Sequence, residues 1–411
     1  MQNPTFFEAF KFWLKLGFIS FGGPAGQIAV MQRELVENKK WIDNDDFLHA
    51  LNYCMLLPGP EAQQLATYCG WKMHGIKGGI VAGAFFVIPS IFFLLVLSYI
   101  YANFGSVPQI DAILDGFKAV VVAIVVEAVL KIGKKAFKSN WHIVIAALAF
   151  VAIYFLQIPF PFIVLGALII GFIYSKFKIQ DSNSEEKQFD SQNRKSKIWK
   201  IVSVCFALWL IPFVILLFIY GYENLSVKIY LFFTQSAFVT FGGAYSVLAY
   251  VNQAVVANGW VTATQTVDAL ALAETTPGPL IMVLQFIGYM AGWNATNSTP
   301  FAILCALITT FVTFLPSFLF IFAGANYIEK LRTNLNLNTA LSFVTASVCG
   351  VILNLALTFG ITVIYHNSNF DWFALILALI SFIALYFLKI DVLLIVILGG
   401  LCGLAKYFLI G

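Results

Sequence analysis

The chain has 411 residues, of which 60% are hydrophobic, 11% are charged and 42 are Phe, with a formal net charge of +4. A soluble domain carries about 25% charged residues, so this composition excludes an ordinary soluble enzyme and implies a polytopic membrane protein whose first partner is the lipid bilayer. The charge is too small and too scattered for a nucleic-acid surface, and no nucleic-acid partner is expected.

The predicted elements follow in chain order. Phe6 to Phe21 is apolar, with Lys11 and Lys15 set into it, and stops at Phe21-Gly22-Gly23-Pro24. Glu8, Lys11 and Lys15 among aromatics do not form a cleavable signal peptide. Ala25 to Glu37 is amphipathic, with Ile28, Met31 and Leu35 on one side and Gln32, Arg33, Glu34 and Glu37 on the other. Lys39-Lys40-Trp41 closes this unit, and Trp41 reads as an interfacial anchor. Asp43 or Asn44 caps a helix expected over 45–57.

That helix runs into Leu56-Leu57-Pro58-Gly59-Pro60-Glu61. Pro58 removes an N–H and biases Leu57 away from helical dihedrals. Pro60 suits the first turn of a new helix, where its missing N–H is no loss. The chain therefore breaks and restarts, with Glu61, Gln63 and Gln64 near the new N-terminus. A basic turn is expected at Lys72, His74 and Lys77, followed by spans over 80–101 (kinked at Pro89-Ser90), 113–130, 141–156 and 160–177. Residues 178–198 read as a polar cytoplasmic linker and 199–221 as an extra transmembrane helix.

From residue 222 the pattern begins again. Phe21-Gly22-Gly23 returns as Phe241-Gly242-Gly243, Trp41 as Trp260 and Pro58-Gly59-Pro60 as Pro277-Gly278-Pro279. Gly70 returns as Gly288 and Pro89-Ser90 as Pro316-Ser317. These ordered landmarks define two repeats, 1–177 and 222–411. Their basic turns alternate out of phase. Arg33/Lys39/Lys40, Lys72/Lys77 and Lys131 to Lys138 mark one side in the first repeat, whereas 244–299 holds no Lys or Arg, and Lys330 and Arg332 fall where the first repeat has none. By the positive-inside rule the repeats face opposite ways. The expected fold is all-α, with two inverted-topology repeats. Each has two broken, re-entrant helical hairpins and four crossing helices, and a ninth crossing helix joins them; in the alternative, the Phe6 segment crosses outright. Broken helices in inverted repeats place a substrate site near the midplane, and helix N-termini at Pro60 and Pro279 suit an anion.

The run Phe21-Gly22-Gly23-Pro24, Glu34-Leu35-Val36, Trp41 and Leu57 to Tyr68, with Thr240 to Ala244 and Glu274 to Pro279, resembles the chromate ion transporter family in its long two-domain form. The resemblance covers nearly the whole chain. It implies a multi-pass protein of the bacterial inner membrane that exports chromate, confers resistance and has a link to sulfate, a similar tetrahedral dianion. A homodimer is common among such transporters. The substrate-binding candidates are Phe21, Gly22, Gly23, Pro24, Pro58, Gly59, Pro60, Glu61, Gln63 and Gln64, with Phe241, Gly242, Gly243, Pro277, Gly278 and Pro279. Gln63 and Gln64 either donate amide N–H groups to an oxyanion or satisfy local backbone. Arg33, Lys39 and Lys40 read as topology anchors or as a basic vestibule. Glu274 is the better candidate for proton coupling, because Glu127 has Lys131 in reach at i,i+4. His49 and His74 read as interfacial.

Three function classes compete: secondary anion export, a passive anion channel or sulfate importer, and a membrane oxidoreductase. The last needs haem or metal ligands, and the six scattered cysteines and four histidines offer no spacing for them. No P-loop is present. No cofactor, metal or enzymatic activity is expected.

Overall fold

The computed structural model describes residues 4–179, 195–324, 335–366 and 369–410. Sixteen helices occur among them. The first half contains α1 (Phe6–Ile19), α2 (Gly23–Gln32), α3 (Asn44–Cys54), α4 (Glu61–Phe104), α5 (Pro108–Ala136), α6 (Asn140–Tyr154) and α7 (Phe160–Ile179). A joining helix α8 (Lys195–Tyr220) follows. The second half contains α9 (Leu225–Val239), α10 (Ala244–Ala257), α11 (Ala263–Glu274), α12 (Val283–Thr296), α13 (Thr299–Gly324), α14 (Leu335–Ile364), α15 (Trp372–Tyr386) and α16 (Val392–Ile410). A two-residue β-hairpin, Tyr365–His366 with Asn369–Phe370, links α14 to α15.

Local chemistry sets the helix starts. Thr5 and Glu8 form a capping box on α1, Asp43 caps α3, and Thr262 with Gln265 forms the capping box on α11. Residues 33–38 wind as a π turn, which keeps Met31 and Leu35 buried at the end of α2. The two breaker motifs repeat their backbone geometry. Gly59 and Gly278 stand at φ +103° and +101°, a left-handed region open to glycine and costly for other residues.

Several boundaries differ from expectation. The helix expected to 57 ends at Cys54, because the break before Pro58 starts earlier. The basic turn near Lys72 is only two residues long. His74 and Gly75 leave helical dihedrals, and Lys77, Gly78 and Gly79 already belong to the next helical stretch. His74 Nε2 bonds the Pro4 carbonyl at 3.0 Å, which ties the turn to the start of α1. Helix also invades both ends of the expected linker: α7 runs to Ile179 and α8 starts at Lys195. Residues 180–194 and the basic turn with Lys330 and Arg332 lie outside the described residues.

Six of the described helices are long and apolar enough to cross a membrane: those covering 61–104, 160–177, 198–220, 299–324, 336–364 and 392–409. The α6 and α15 helices, expected among the crossing helices, have only 15 residues each. At 1.5 Å per residue that is about 22 Å, short of a hydrocarbon core of about 30 Å. The joining helix α8 is apolar from Ile201 onward and mostly exposed there, with Cys205 and Leu216 buried and Trp209 packed on α9.

The halves interlock. Helix α6 packs on α14, where His142 Nε2 and Ser342 Oγ lie 3.0 Å apart and the His142 ring meets Phe343. Its counterpart α15 packs on α5, where Lys134 bonds the Tyr386 hydroxyl. Helix α7 likewise packs on α14, with Ser175 Oγ donating to Asn336 Oδ1 at 2.7 Å, and α16 packs on α5 through Gly116 against Gly399. Each half thus leans its last two helices on the long helix of the other, and α5 and α14 also touch each other.

Candidate functional site

The two Pro-Gly-Pro breaks meet the two Phe-Gly-Gly breaks of the opposite halves. The Gly59 N–H donates to the Thr240 carbonyl at 3.2 Å, and the Gly278 N–H donates to the Ser20 carbonyl at 2.8 Å. Ser20 and Thr240 are the residues directly before the two Phe-Gly-Gly motifs. The exchange extends to side chains. A Cβ placed on Gly59 would stand 3.2 Å from Ser317 Oγ, and one on Gly278 would stand 2.8 Å from Ser90 Cβ. Ser90 and Ser317 are the repeat-related Pro-Ser residues of α4 and α13. The contacts are reciprocal: each repeat meets the other at the equivalent place.

A cavity of about 10 Å³ lies between these crossings, room for about one water molecule. Its lining comes largely in related pairs: Pro24 and Ala244, Pro60 and Pro279, Glu61 and Leu280, Ala62 and Ile281. Gln27 and Gly243 complete it. The N-terminus of α4 opens on the cavity, with Pro60 at its cap and no side chain capping its N–H groups. On the other side Leu280–Met282 forms a single 3₁₀ turn that leads into α12. The Gly59 and Gly278 peptides are tied down by backbone bonds, whereas the first N–H groups of α4 keep the orphan character of any helix start.

The polar side chains of the cavity come from one half. Gln27 is 1% exposed, and its amide donates to the Gly278 carbonyl while its Oε1 has no partner. Glu61 lies against Gly243, with Oε1 3.6 Å from where a Cβ on that glycine would be. It forms no ion pair among the described residues, and the nearest charge acting on it is Lys135 of α5. Gln64 Nε2 bonds the Pro58 carbonyl at 2.7 Å, and Gln63 Nε2 bonds Thr67 Oγ1 at 3.1 Å. One N–H of each amide is therefore engaged in a local contact.

Other sequence-selected residues surround this point. Gly22 faces Asp391, whose Oδ2 is 4.0 Å from a Cβ built there, and the space beside Gly23 is open. Glu274, buried at the end of α11, accepts from the Tyr245 hydroxyl at 3.0 Å, with Glu127, Asp391 and Lys131 within electrostatic reach. Glu127 pairs with Lys131 at 2.7 Å, as the i,i+4 spacing implies. Arg33, Lys39 and Lys40 are not brought to the cavity. Arg33 lies beside Glu34 at 3.9 Å, Lys39 sits over Phe12 and Trp41, and Lys40 is exposed.

Sequence reasoning missed four residues. Ser20 and Thr240 were legible, since a hydroxyl residue precedes Phe-Gly-Gly in both repeats. Gln27 carried no signal, because its repeat partner is Val247. Asp268 was legible as a carboxylate within an apolar helix. It is 1% exposed, accepts from the Tyr101 hydroxyl at 2.7 Å and lies within electrostatic reach of Lys118 on α5.

The sequence profile of the chromate transporters matches residues 7–172 and 227–404, one match in each half. The chain belongs to the chromate transporter family. It is 28% identical over 414 residues to the chromate transport protein of Pseudomonas aeruginosa, covering 98% of this chain and 92% of that one. An uncharacterised transporter of Methanocaldococcus jannaschii is 26% identical over 410 residues, covering 98% and 94%. An uncharacterised transporter of Bacillus subtilis is 29% identical over 191 residues, which is 46% of this chain but 96% of the relative. That relative is therefore about half as long as this chain. No solved structure matches the chain. Membership makes this an integral, multi-pass membrane transporter, in keeping with its apolar helices.

Proposed function

We propose that this protein exports chromate from the cytoplasm by alternating access, with the anion held at the cavity between the crossed breaks. The reciprocal bonding of Gly59 to Thr240 and Gly278 to Ser20 carries this reading, since each break is bonded to a break of the opposite half, as a site shared by both halves requires. A dianion leaving water needs several N–H donors at once. The uncapped start of α4 and the glycine peptides of the Phe-Gly-Gly breaks are the donors within reach. A cavity with room for one water is too small for a tetrahedral oxyanion. The halves must part to admit one, as in a rocking motion of one against the other.

The inverted, re-entrant arrangement belongs to this proposal, and two contacts support it. Lys72 pairs with Asp46 at the start of α3, while Tyr101 bonds Asp268 midway along α11, a helix placed in the second half as α3 is in the first. Between these ends α4 is helical from 76 to 104, a length of about 43 Å at 1.5 Å per residue. The short helices α3 and α11 are thus bonded near opposite ends of one long helix. An inside-negative potential favours outward movement of a dianion by about 2.3 kcal/mol per charge at 100 mV. The cavity is closed by one chain alone, so a homodimer would add no residue to it.

Everted vesicles test the proposal, because export then reads as uptake. Vesicles with the wild-type chain should accumulate chromate under a clamped potential, and excess sulfate should compete if the site reads tetrahedral dianions generally. The Pro58→Ala/Pro60→Ala variant should insert but not accumulate. Equal accumulation by that variant would rule out the break as a working part. Release in place of uptake would reverse the direction.

A further inference from the structure

The free side-chain atoms of the cavity are acceptors. Gln27 is buried with its amide N–H on the Gly278 carbonyl, which leaves Oε1 facing the cavity without a donor. Glu61 is the first residue of α4, and its carboxylate lies over Gly243 beside the same N–H groups an anion would use. A carboxylate at a helix N-terminus is stabilised by the positive end of the dipole. An oxyanion entering here would meet a carboxylate already at that end, together with an amide oxygen that cannot donate to it. The two negative groups cannot share one desolvated helix N-terminus. The titratable groups facing Glu61 are the Cys54 thiol on α3 and Lys135 on α5, while α2 presents Gln27 and α10 presents the backbone at Gly243. Lys135 forms no ion pair with Glu61, so it does not neutralise the carboxylate by contact.

We propose that Glu61 is a tethered competitor for the transported oxyanion, and that the anion binds only as Glu61 takes up a proton. The protonated carboxyl then has an acceptor at hand in Gln27 Oε1, and the start of α4 is released to the anion. Proton and anion binding are thereby linked, and by thermodynamic reciprocity each raises the affinity for the other. The inference rests on the cavity being the anion site. It moves the proton from Glu274, which Tyr245 holds outside the cavity lining, to Glu61.

The test is calorimetric titration of purified full-length protein with chromate, and with sulfate as a redox-inert probe, in buffers of different ionisation enthalpy. Wild type should take up close to one proton per anion bound, and its affinity should fall about tenfold per pH unit once Glu61 is ionised. The Glu61→Gln variant should bind at every pH with the affinity that wild type reaches only in acid, and without proton uptake. The Glu274→Gln variant should take up the proton as wild type does. Anion binding by wild type without proton uptake would overturn the linkage and leave the anion site standing. Uptake abolished by Glu274→Gln but not by Glu61→Gln would return the proton to Glu274. Absence of any anion binding would overturn the site itself. The wild-type measurement decides the linkage even if Glu61→Gln fails to fold.

Discussion

The two halves share a backbone plan and differ in what they put on the cavity. The first half contributes Pro24, Gln27 and Glu61; the repeat-related second-half positions hold Ala244, Val247 and Leu280. Residues 263–292 of the second half are also more fully buried than 44–73 of the first. One half therefore supplies the chemistry of the cavity and the other supplies a packed wall. Duplication preserved the turn residues, because only Gly and Pro satisfy those backbone angles. The side chains on the cavity had no such constraint and diverged.

The largest expected effect breaks the symmetry of the backbone plan. Each Pro-Gly-Pro bonds the opposite half, so Pro277→Ala/Pro279→Ala should abolish chromate uptake as completely as Pro58→Ala/Pro60→Ala does. Alanine frees both segments to run on as helix and withdraws the glycine N–H from Ser20 or Thr240. Uptake assays in everted vesicles with matched protein levels check this. Retained transport in the second-half variant alone would make that half a passive wall.

The glycines sharpen the comparison. Gly59→Ala and Gly278→Ala each place a side chain in the left-handed region, at a cost of about 1–2 kcal/mol. They differ in what the new methyl meets. At Gly59 it meets the Ser317 hydroxyl at 3.2 Å, which can rotate away; at Gly278 it meets Ser90 Cβ at 2.8 Å, which cannot. Gly278→Ala should therefore lower the melting temperature in detergent further, and Ser90→Gly should recover the difference. Equal losses would mean that the two crossings relax alike.

The breaks, the repeat and the Glu127–Lys131 pair were legible because they are local. Pro and Gly act on their own dihedrals, and i,i+4 pairing needs only one helix. The crossing of each break with the opposite half was not legible, because nothing in a hydropathy pattern states that Gly59 touches Thr240 or that Gly278 touches Ser20. Gln27 was hidden for a related reason: on the amphipathic stretch after Gly23 it looks like any other polar residue. The turn after Trp71 was legible but its extent was not, because the Lys72 to Gly79 run reads as a loop by composition, whereas His74 and Gly75 alone turn the chain and helix resumes at once.

A third prediction separates the two capping glutamines. Gln27→Leu and Gln64→Leu each leave a buried carbonyl unpaired, Gly278 in one case and Pro58 in the other, a loss of about 1–3 kcal/mol each. Their stability losses should match. Only Gln27 lines the cavity, so only Gln27→Leu should also change anion affinity and its pH dependence. Parallel thermal and binding measurements distinguish them, and a matching change in affinity from Gln64→Leu would extend the site beyond the cavity.

The smallest effect is expected at the basic rim. Lys39 and Lys40 are exposed and far in contact terms from the cavity, with Lys39 held over Trp41 at 4.7 Å. Charges there act on the anion only through the long-range field, which salt screens over about 8 Å at physiological strength. Lys39→Gln/Lys40→Gln should therefore leave the maximal rate of uptake unchanged and raise the half-saturating chromate concentration about twofold at low salt, with the difference vanishing at high salt. A salt-independent loss would place these lysines in direct contact with the anion on its path. A loss of inserted protein, with normal transport by what remains, would make them topology anchors, because the first half's hairpins need a fixed cytoplasmic end. The three outcomes differ in rate, half-saturation and membrane yield, so one set of vesicles measured at two salt concentrations separates them.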